Sequence, residues 1–216
     1  MKPTIIFDFD YTLADSSGAV VACINFALEE MGGSGCPADD CKATIGLSLP
    51  DTYHALTGRQ ASGEIREFQR LFIQRADEIM APATNIYAGV PELIRALYSD
   101  GYTLAIISTK FRYRICQILD RYGLTGYFTA IIGGEDVERH KPDPESLLLC
   151  LKRLDRAPEE ALLIGDSLVD AETAKRGNVR FVAVLTGRTA ADQFAAYQPA
   201  AVLNKVTEIR KYLSDI

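Results

Sequence analysis

The sequence predicts an α/β protein: a doubly wound, mostly parallel sheet interrupted by an inserted helical domain. Three observations carry that expectation. A short apolar strand signal opens the chain and ends in two acids, Asp8 and Asp10. Helical periodicity with no convincing strand signal follows as far as Met80. Beyond Gly89, helices and strands alternate to the end of the chain. Such alternation builds parallel sheets with helices on both faces. A crossover between parallel strands seldom needs more than one helix, so the helical block reads as an insertion. The expected domains are a core of residues 1–15 and 82–216 and a helical domain of residues 16–81.

Each element rests on a local signal. Ile5, Ile6 and Phe7 form the apolar run of a strand buried on both faces. Over residues 18–31, Val20, Val21, Ile24, Ala27, Leu28 and Met31 recur at helical spacing, and Gly32-Gly33 stops the helix. Residues 39–45, 50–56 and 63–80 read as further helices, separated by Gly46, Gly58 and a break at Pro82. A helix over residues 91–99 leads through Asp100-Gly101 to a strand at 104–107, which ends in Ser108-Thr109-Lys110. A helix at 112–122, closed by Gly123, precedes a strand at 128–132. Residues 144–154 are helical, 161–164 form a strand ending at Gly165-Asp166, and 170–176 form a short helix closed by Gly177. Strands at 181–185 and 201–203 complete the pattern, each followed by a weaker helix.

Composition narrows the function classes. At 216 residues the chain is long enough for one large or two smaller domains with a proper core. A net charge of -6 argues against nucleic-acid or anionic-membrane partners, which reward clustered Lys and Arg, but leaves a small anionic substrate open. The first strand begins too early to leave room for a signal peptide, and no apolar run approaches membrane-spanning length, so a cytoplasmic protein is expected, as monomer or homodimer. Cys23, Cys36, Cys41, Cys116 and Cys150 lack a CxxC pair and are expected to be free thiols.

The polar residues that stand out lie at strand ends. Asp8 and Asp10 follow the first strand, where period-two geometry turns both side chains to one side and Phe9 to the other. Carboxylates that close repel, so the site needs a cation or a shared proton. Ser108 and Thr109 follow the next strand, Lys141 lies in the loop after the third, and Asp166 and Asp170 follow the fourth. In an open parallel sheet these ends converge on one edge, where such sheets bind ligands. Taken singly, Ser108 or Asp166 reads equally well as a helix cap and Lys141 as a solvated charge. Capping does not account for all of them together.

The set resembles the haloacid dehalogenase superfamily of aspartate-nucleophile phosphatases. Asp8-Phe9-Asp10-Tyr11-Thr12-Leu13 is similar to the family's DxDxT motif, Ile107-Ser108-Thr109 to its apolar-Ser/Thr motif, Lys141-Pro142-Asp143-Pro144 to its lysine motif, and Gly165-Asp166-Ser167-Leu168-Val169-Asp170 to its GDxxxD motif. Asp15-Ser16, the insert directly behind them and the KPDP form are most similar to the phosphoglycolate phosphatase-like branch, whose relatives include pyrophosphatases and β-phosphoglucomutases. The resemblance implies a Rossmann-like core with a helical cap and a Mg²⁺-dependent phosphatase acting on a small phosphorylated metabolite.

It also implies roles. Asp8 would attack phosphorus, splitting a difficult hydrolysis into two displacements through an aspartyl-phosphate. Asp10 would donate a proton to the leaving oxygen and then take one from water. Asp8, the backbone carbonyl of Asp10, Asp166 and Asp170 would hold Mg²⁺, Asp170 through a water. Ser108, Thr109 and Lys141 would bind the phosphoryl oxygens, helped by the backbone N–H groups that follow Asp10 and Ser108. Lys141 is the only cation the sequence places at the phosphate.

Rival readings differ in kind. A dehalogenase would need neither Asp10 nor a metal, a phosphomutase would keep every core residue named, and a binding module would be expected to have lost Asp8, Asp10 or Lys141. Specificity is expected from the insert, with Arg59, Arg66 and Lys42 as candidates, and His140 reads as a solvated loop residue. Tyr11 stands where the resembling branch commonly has Gly. It is expected at negative φ, with its ring either lining the entrance or packing against the base of the insert.

Overall fold

The computed structural model describes residues 2–215, so Met1 and Ile216, the outer limits of the expected core, lie outside the described residues. In chain order, β1 (Thr4–Phe7) and β2 (Ala14–Asp15) precede four helices: α1 (Ser17–Glu30), α2 (Ala38–Ala43), α3 (Leu49–Thr57) and α4 (Ser62–Ala83). Then come β3 (Asn85–Ile86), α5 (Val90–Ser99), β4 (Leu104–Ile107), α6 (Arg112–Asp120), β5 (Ala130–Ile132) and α7 (Glu145–Leu154). The chain ends with β6 (Ala161–Gly165), α8 (Leu168–Arg176), β7 (Arg180–Val184), β8 (Ala201–Leu203) and α9 (Ile209–Ser214).

All four residues of β1 are buried, because the strand lies mid-sheet between β4 and β6 in the order β5-β4-β1-β6-β7-β8. Every pairing in this six-stranded sheet is parallel, with Phe7 opposite Ile106 on one side and Ile164 on the other. Alternation along the strands splits the core into two layers. Ile5, Phe7, Leu104, Ile106, Leu162 and Ile164 pack on one face; Ile6, Ala105, Ile107, Leu163 and Phe181 pack on the other. This is the doubly wound α/β sheet expected from the sequence.

Helices α1 to α4 gather a separate apolar cluster that includes Ile24, Leu28, Tyr53, Phe68, Phe72 and Met80, with the Tyr53 and Phe68 rings 5.2 Å apart. The break expected at Pro82 is absent. Proline removes one backbone hydrogen bond, and near a helix end that loss is tolerated, so α4 continues to Ala83 and closes when Thr84 N–H and Oγ1 donate to the Met80 carbonyl at 3.1 and 2.7 Å. The strands β2 and β3 carry no periodic signal at two residues each. They pair antiparallel where the chain enters and leaves the helical layer, Ala14 opposite Ile86 and Asp15 opposite Asn85. No helix among the described residues is long and apolar enough to cross a membrane, and the five cysteines are free thiols.

Candidate active site

From β1 the chain continues outward to β4 and β5 on one side and later to β6, β7 and β8 on the other, so a crevice opens beyond the carboxyl end of β1. Asp8 sits there, 5% exposed, its N–H donating to the Ile164 carbonyl at 2.8 Å. Lys141, carried over from the loop after β5, donates from Nζ to Asp8 Oδ1 at 2.7 Å and to Asp170 Oδ1 at 2.5 Å. The other oxygen of Asp170 caps α8. Ser167 Oγ donates to it at 2.5 Å, and Asp170 N–H donates back to Ser167 Oγ at 3.2 Å. One carboxylate thus completes a capping box and faces the crevice.

Two glycines make the close packing possible. At Gly165 a Cβ would lie 2.5 Å from Asp170 Cβ and Cγ, so any side chain there would push α8 off β6. At Gly187 a Cβ would fall on the Asp166 carboxylate, whose Oδ1 also accepts from Thr12 Oγ1 at 3.3 Å. Gly187 was not singled out by the sequence, although Thr186-Gly187 follows β7 as the other candidate groups follow their strands.

Asp8, Asp166 and Asp170 each offer a carboxylate oxygen within 4.8 Å of the others, and all three are buried. Facing them is one ammonium. Burial raises the Asp8 carboxyl to about 7, against the pull of Lys141, while the charges of Asp170 and Asp10 push the same way as burial. Burial and then the charges of Asp170 and Asp8 hold Asp166 well above the usual carboxylate range. Burial opposes the charge on Lys141, but Asp170 and Asp8 outweigh it and push its pKa up, so the lysine stays charged. An all-oxygen, multiply anionic set with excess negative charge fits a hard divalent cation and suits neither a soft metal nor an apolar ligand.

Asp10 stands beside this trio with different partners. Ser16 Oγ donates to its Oδ1 at 2.5 Å, and Lys110 Nζ lies 3.3 Å from its Oδ2. Ser16 occupies the N-cap position of α1 yet makes no side-chain cap; its hydroxyl is given to Asp10, and Asp15 accepts from Ser17 N–H at 2.8 Å instead. Asp10 opens onto a cavity of about 100 Å³ between the sheet edge and the helical layer, lined also by Ser48, Gln69, Phe72, Lys110 and His140.

Residues 5–184 match the family described as haloacid dehalogenase-like hydrolase. The chain belongs to that family. Among relatives of this hydrolase, "Pyrophosphatase PpaX" of Listeria monocytogenes is 31% identical over 98% of the chain and 96% of its own length. A haloacid dehalogenase-like hydrolase structure from Bacteroides fragilis is 40% identical with a TM-score of 0.93, covering 97% of this chain and 100% of that one. A Lactobacillus plantarum structure assigned as a phosphoglycolate phosphatase is 27% identical with a TM-score of 0.83, covering 98% of this hydrolase and 99% of that chain.

Within the hydrolase, several residues lie elsewhere than expected. Lys141 is not the only cation at the site, because Lys110 is buried beside Asp10; its signal was its place directly after Ser108-Thr109 at a strand end. Ser108 is buried at the end of β4, its N–H bound to the Ile132 carbonyl at 3.0 Å and its Oγ accepting from Lys110 N–H at 3.2 Å. Thr109 lines the cavity, and its hydroxyl donates to the Gly46 carbonyl at 3.4 Å rather than toward the carboxylate trio. The N–H after Asp10 is not free for a phosphate, since Tyr11 donates it to Ala14 at 2.7 Å. Arg59, Arg66 and Lys42 do not line the cavity; Arg59 pairs with Glu64 at 3.3 Å on the outer surface. His140 is half-buried rather than solvated, and lies on the cavity wall.

Tyr11 corrects a conformational expectation. Its φ is +60°, in the left-handed region, and its ring is not part of the cavity wall. The chain must reverse directly after Asp10. Leu13 and Ala14 N–H groups return to the Phe9 carbonyl at 2.9 and 3.1 Å, and Thr186 Oγ1 donates to the Tyr11 carbonyl. These bonds over-determine a conformation that costs a side-chain-bearing residue about 1 kcal/mol. The test is a comparison of two truncations, both of which remove the ring. At an ordinary position glycine is the less stable, whereas here Tyr11→Gly should be more stable than Tyr11→Ala by about 1 kcal/mol in urea unfolding. Equal or reversed stabilities would contradict the strained turn.

Proposed function

We propose that this hydrolase is a Mg²⁺-dependent phosphatase acting on a small, phosphoglycolate-like phosphomonoester in the cytoplasm, through an aspartyl-phosphate on Asp8. The observation that carries the reading is the pairing of two unlike carboxylates at one strand end. Asp8 lies among Lys141, Asp166 and Asp170, while Asp10, 12% exposed at its side chain, faces a cavity able to take a leaving group. A nucleophile and a proton carrier need such different surroundings.

In this reading, Asp8 attacks phosphorus as the ester bond breaks, and Asp10 gives its proton to the departing oxygen. Asp10 then takes a proton from the water that attacks the aspartyl-phosphate, which restores both acids and releases inorganic phosphate. Lys141 and Ser108 bind phosphoryl oxygens, Lys141 supplying fixed positive charge where charge develops. Asp8, Asp166 and the Asp10 carbonyl would hold Mg²⁺, with Asp170 acting through a water. When bound, the ion neutralises the phosphoryl oxygens so that an anionic nucleophile can approach. Residues 16–81 serve as a cap over a core of residues 1–15 and 82–216, which the separate apolar cluster of α1 to α4 and the β2/β3 pairing support.

Pyrophosphate is the second candidate substrate, favoured by the 31% identity to a relative named as a pyrophosphatase. A hexose phosphate is disfavoured. The cavity wall puts Lys110 and His140 beside Val20, Ile24, Leu47 and Phe72, with Gln69 as its one carboxamide among the described residues, and lacks the array of carboxamides that would hold the many hydroxyls of a sugar. Turnover of phosphomonoesters and pyrophosphate with Mg²⁺ tests the reading; absence of phosphate release from every member of such a panel overturns it. Lys141→Ala should raise KM and lower kcat together, reducing kcat/KM by at least about 100-fold, because the group it removes binds the substrate phosphate and holds the charge that develops in the transition state more strongly still. An unchanged kcat would remove Lys141 from the transition state.

A further inference from the structure

We propose that the cavity beside Asp10 recognises a small leaving group bearing its own anionic group, a carboxylate or a second phosphate, and that Lys110 is the residue that reads this charge. The inference rests on the phosphatase reading, since it assigns the far half of the substrate. Its basis is a lysine whose needs the protein leaves incompletely met. The Lys110 side chain is only 5% exposed, yet its partners are Asp10 Oδ2 at 3.3 Å and Ser16 Oγ at 3.4 Å, both long for charge-assisted contacts. Asp10 in turn takes its short hydrogen bond, 2.5 Å, from Ser16. An ammonium has three donors, and removing it from water is costly unless they are well used.

The surroundings point the same way. His140 Nδ1 is buried and has no hydrogen-bond partner among the described residues, and His140 lines the same cavity. The other cation on the wall is already committed, because Arg114 binds Asp77 at 2.6 Å and the Ile73 carbonyl at 3.1 Å. Much of the remaining wall is apolar, with Val20, Ile24, Leu47 and Phe72, which strengthens any charge interaction inside. A neutral alkyl leaving group would leave Lys110 with only its long contacts to Asp10 and Ser16, and His140 Nδ1 without a partner. An anionic one would give Lys110 a full counter-charge within a volume of about 100 Å³, large enough for a carboxylate- or phosphate-sized fragment.

The test compares three substrates with Mg²⁺: 2-phosphoglycolate, pyrophosphate and 2-hydroxyethyl phosphate, the last matching the first except that a neutral hydroxymethyl replaces the carboxylate. A buried charge-assisted contact corresponds to roughly 10- to 100-fold in kcat/KM. The wild-type protein should therefore prefer at least one anionic substrate over the neutral ester by at least about tenfold. Which anion is preferred separates the carboxylate from the phosphate. Lys110→Met should reduce that preference to within about threefold, and Lys110→Arg should retain most of it. The two oxygen esters have alkoxide leaving groups that need Asp10 alike, so a general disturbance of Asp10 lowers both and leaves their ratio unmoved. The Lys110→Met comparison is therefore read on that pair, with pyrophosphate compared only between wild type and Lys110→Met. A wild-type preference below about tenfold, or a ratio unchanged in Lys110→Met, overturns the subsite while the phosphatase reading stands. No turnover of any of the three overturns the phosphatase reading and the subsite with it. Should Lys110→Met fail to fold, Lys110→Gln decides: its ratio of 2-phosphoglycolate to 2-hydroxyethyl phosphate turnover must fall to within about threefold, and an unchanged ratio overturns the proposal.

Discussion

Asp8→Asn is expected to leave a folded protein with at least about 10³-fold lower phosphatase turnover. The amide is nearly isosteric with the carboxylate but is a poor nucleophile, so the loss falls on the chemical step. Stability should move in the opposite direction. A carboxylate oxygen of Asp8 lies within 4.8 Å of one from Asp166 and one from Asp170, and among the described residues Lys141, which it shares with Asp170, carries the one opposing charge in contact with it. In EDTA at pH 7.5 the variant should therefore melt at or above the wild-type temperature. Residual activity above a few per cent, after mass spectrometry has excluded deamidation back to aspartate, would remove Asp8 as nucleophile.

Metal removal should abolish activity and expose the electrostatic cost of the site. The Asp8 carboxyl titrates near 7 rather than near its ordinary 3.8, with Asp166 shifted in the same direction. In the metal-free native state Asp8 keeps a proton that the unfolded chain has released above about pH 4. Its contribution to stability is therefore fully present below about pH 4, is lost as pH rises through about 7, and changes little beyond. The slope reaches at most about 1.4 kcal/mol per pH unit for one group. In EDTA the melting temperature of Asp8→Asn relative to wild type should rise between pH 5 and pH 7.5 by several degrees, since about 1 kcal/mol moves a chain of this length by 2–4 °C. Mg²⁺ competes with that proton, so it should stabilise the wild type more at pH 7.5 than at pH 5, and should stabilise Asp166→Asn little at either pH. A Mg²⁺ effect independent of pH, or full activity in excess EDTA, would contradict the assignment.

What could be read from the chain alone depended on signals carried by neighbouring residues. The runs 104–107 and 201–203 coincide with β4 and β8, because strands in a parallel sheet are short apolar segments whichever strand lies beside them. The placement of Asp8, Ser108, Lys141 and Asp166 after strands was equally readable, since a parallel sheet sends all its carboxyl ends to one edge. Strands of two residues, such as β2 and β3, carry no period and were not visible.

Other features belong to groups that meet only when the sheet and the helical layer close on each other. Lys110 meets Asp10 because β4 lies beside β1 and the start of α1 brings Ser16 between them, a contact spanning 94 residues from Ser16 to Lys110. Tyr11 adopts positive φ because backbone carbonyls at Phe9 and Ala14 and the Thr186 hydroxyl from beyond β7 hold it there, overriding its own preference. Arg59, promising in the sequence, is turned outward to Glu64, and the cavity wall goes instead to Gln69, Lys110 and His140. The sequence by itself determined the strands of the six-stranded sheet, the helices and which polar residues reach the sheet's edge, because local periodicity and chain direction suffice for those. The tertiary structure alone decided which charges pair and which side chains enclose the cavity beside Asp10, because those depend on distances between segments far apart in the chain.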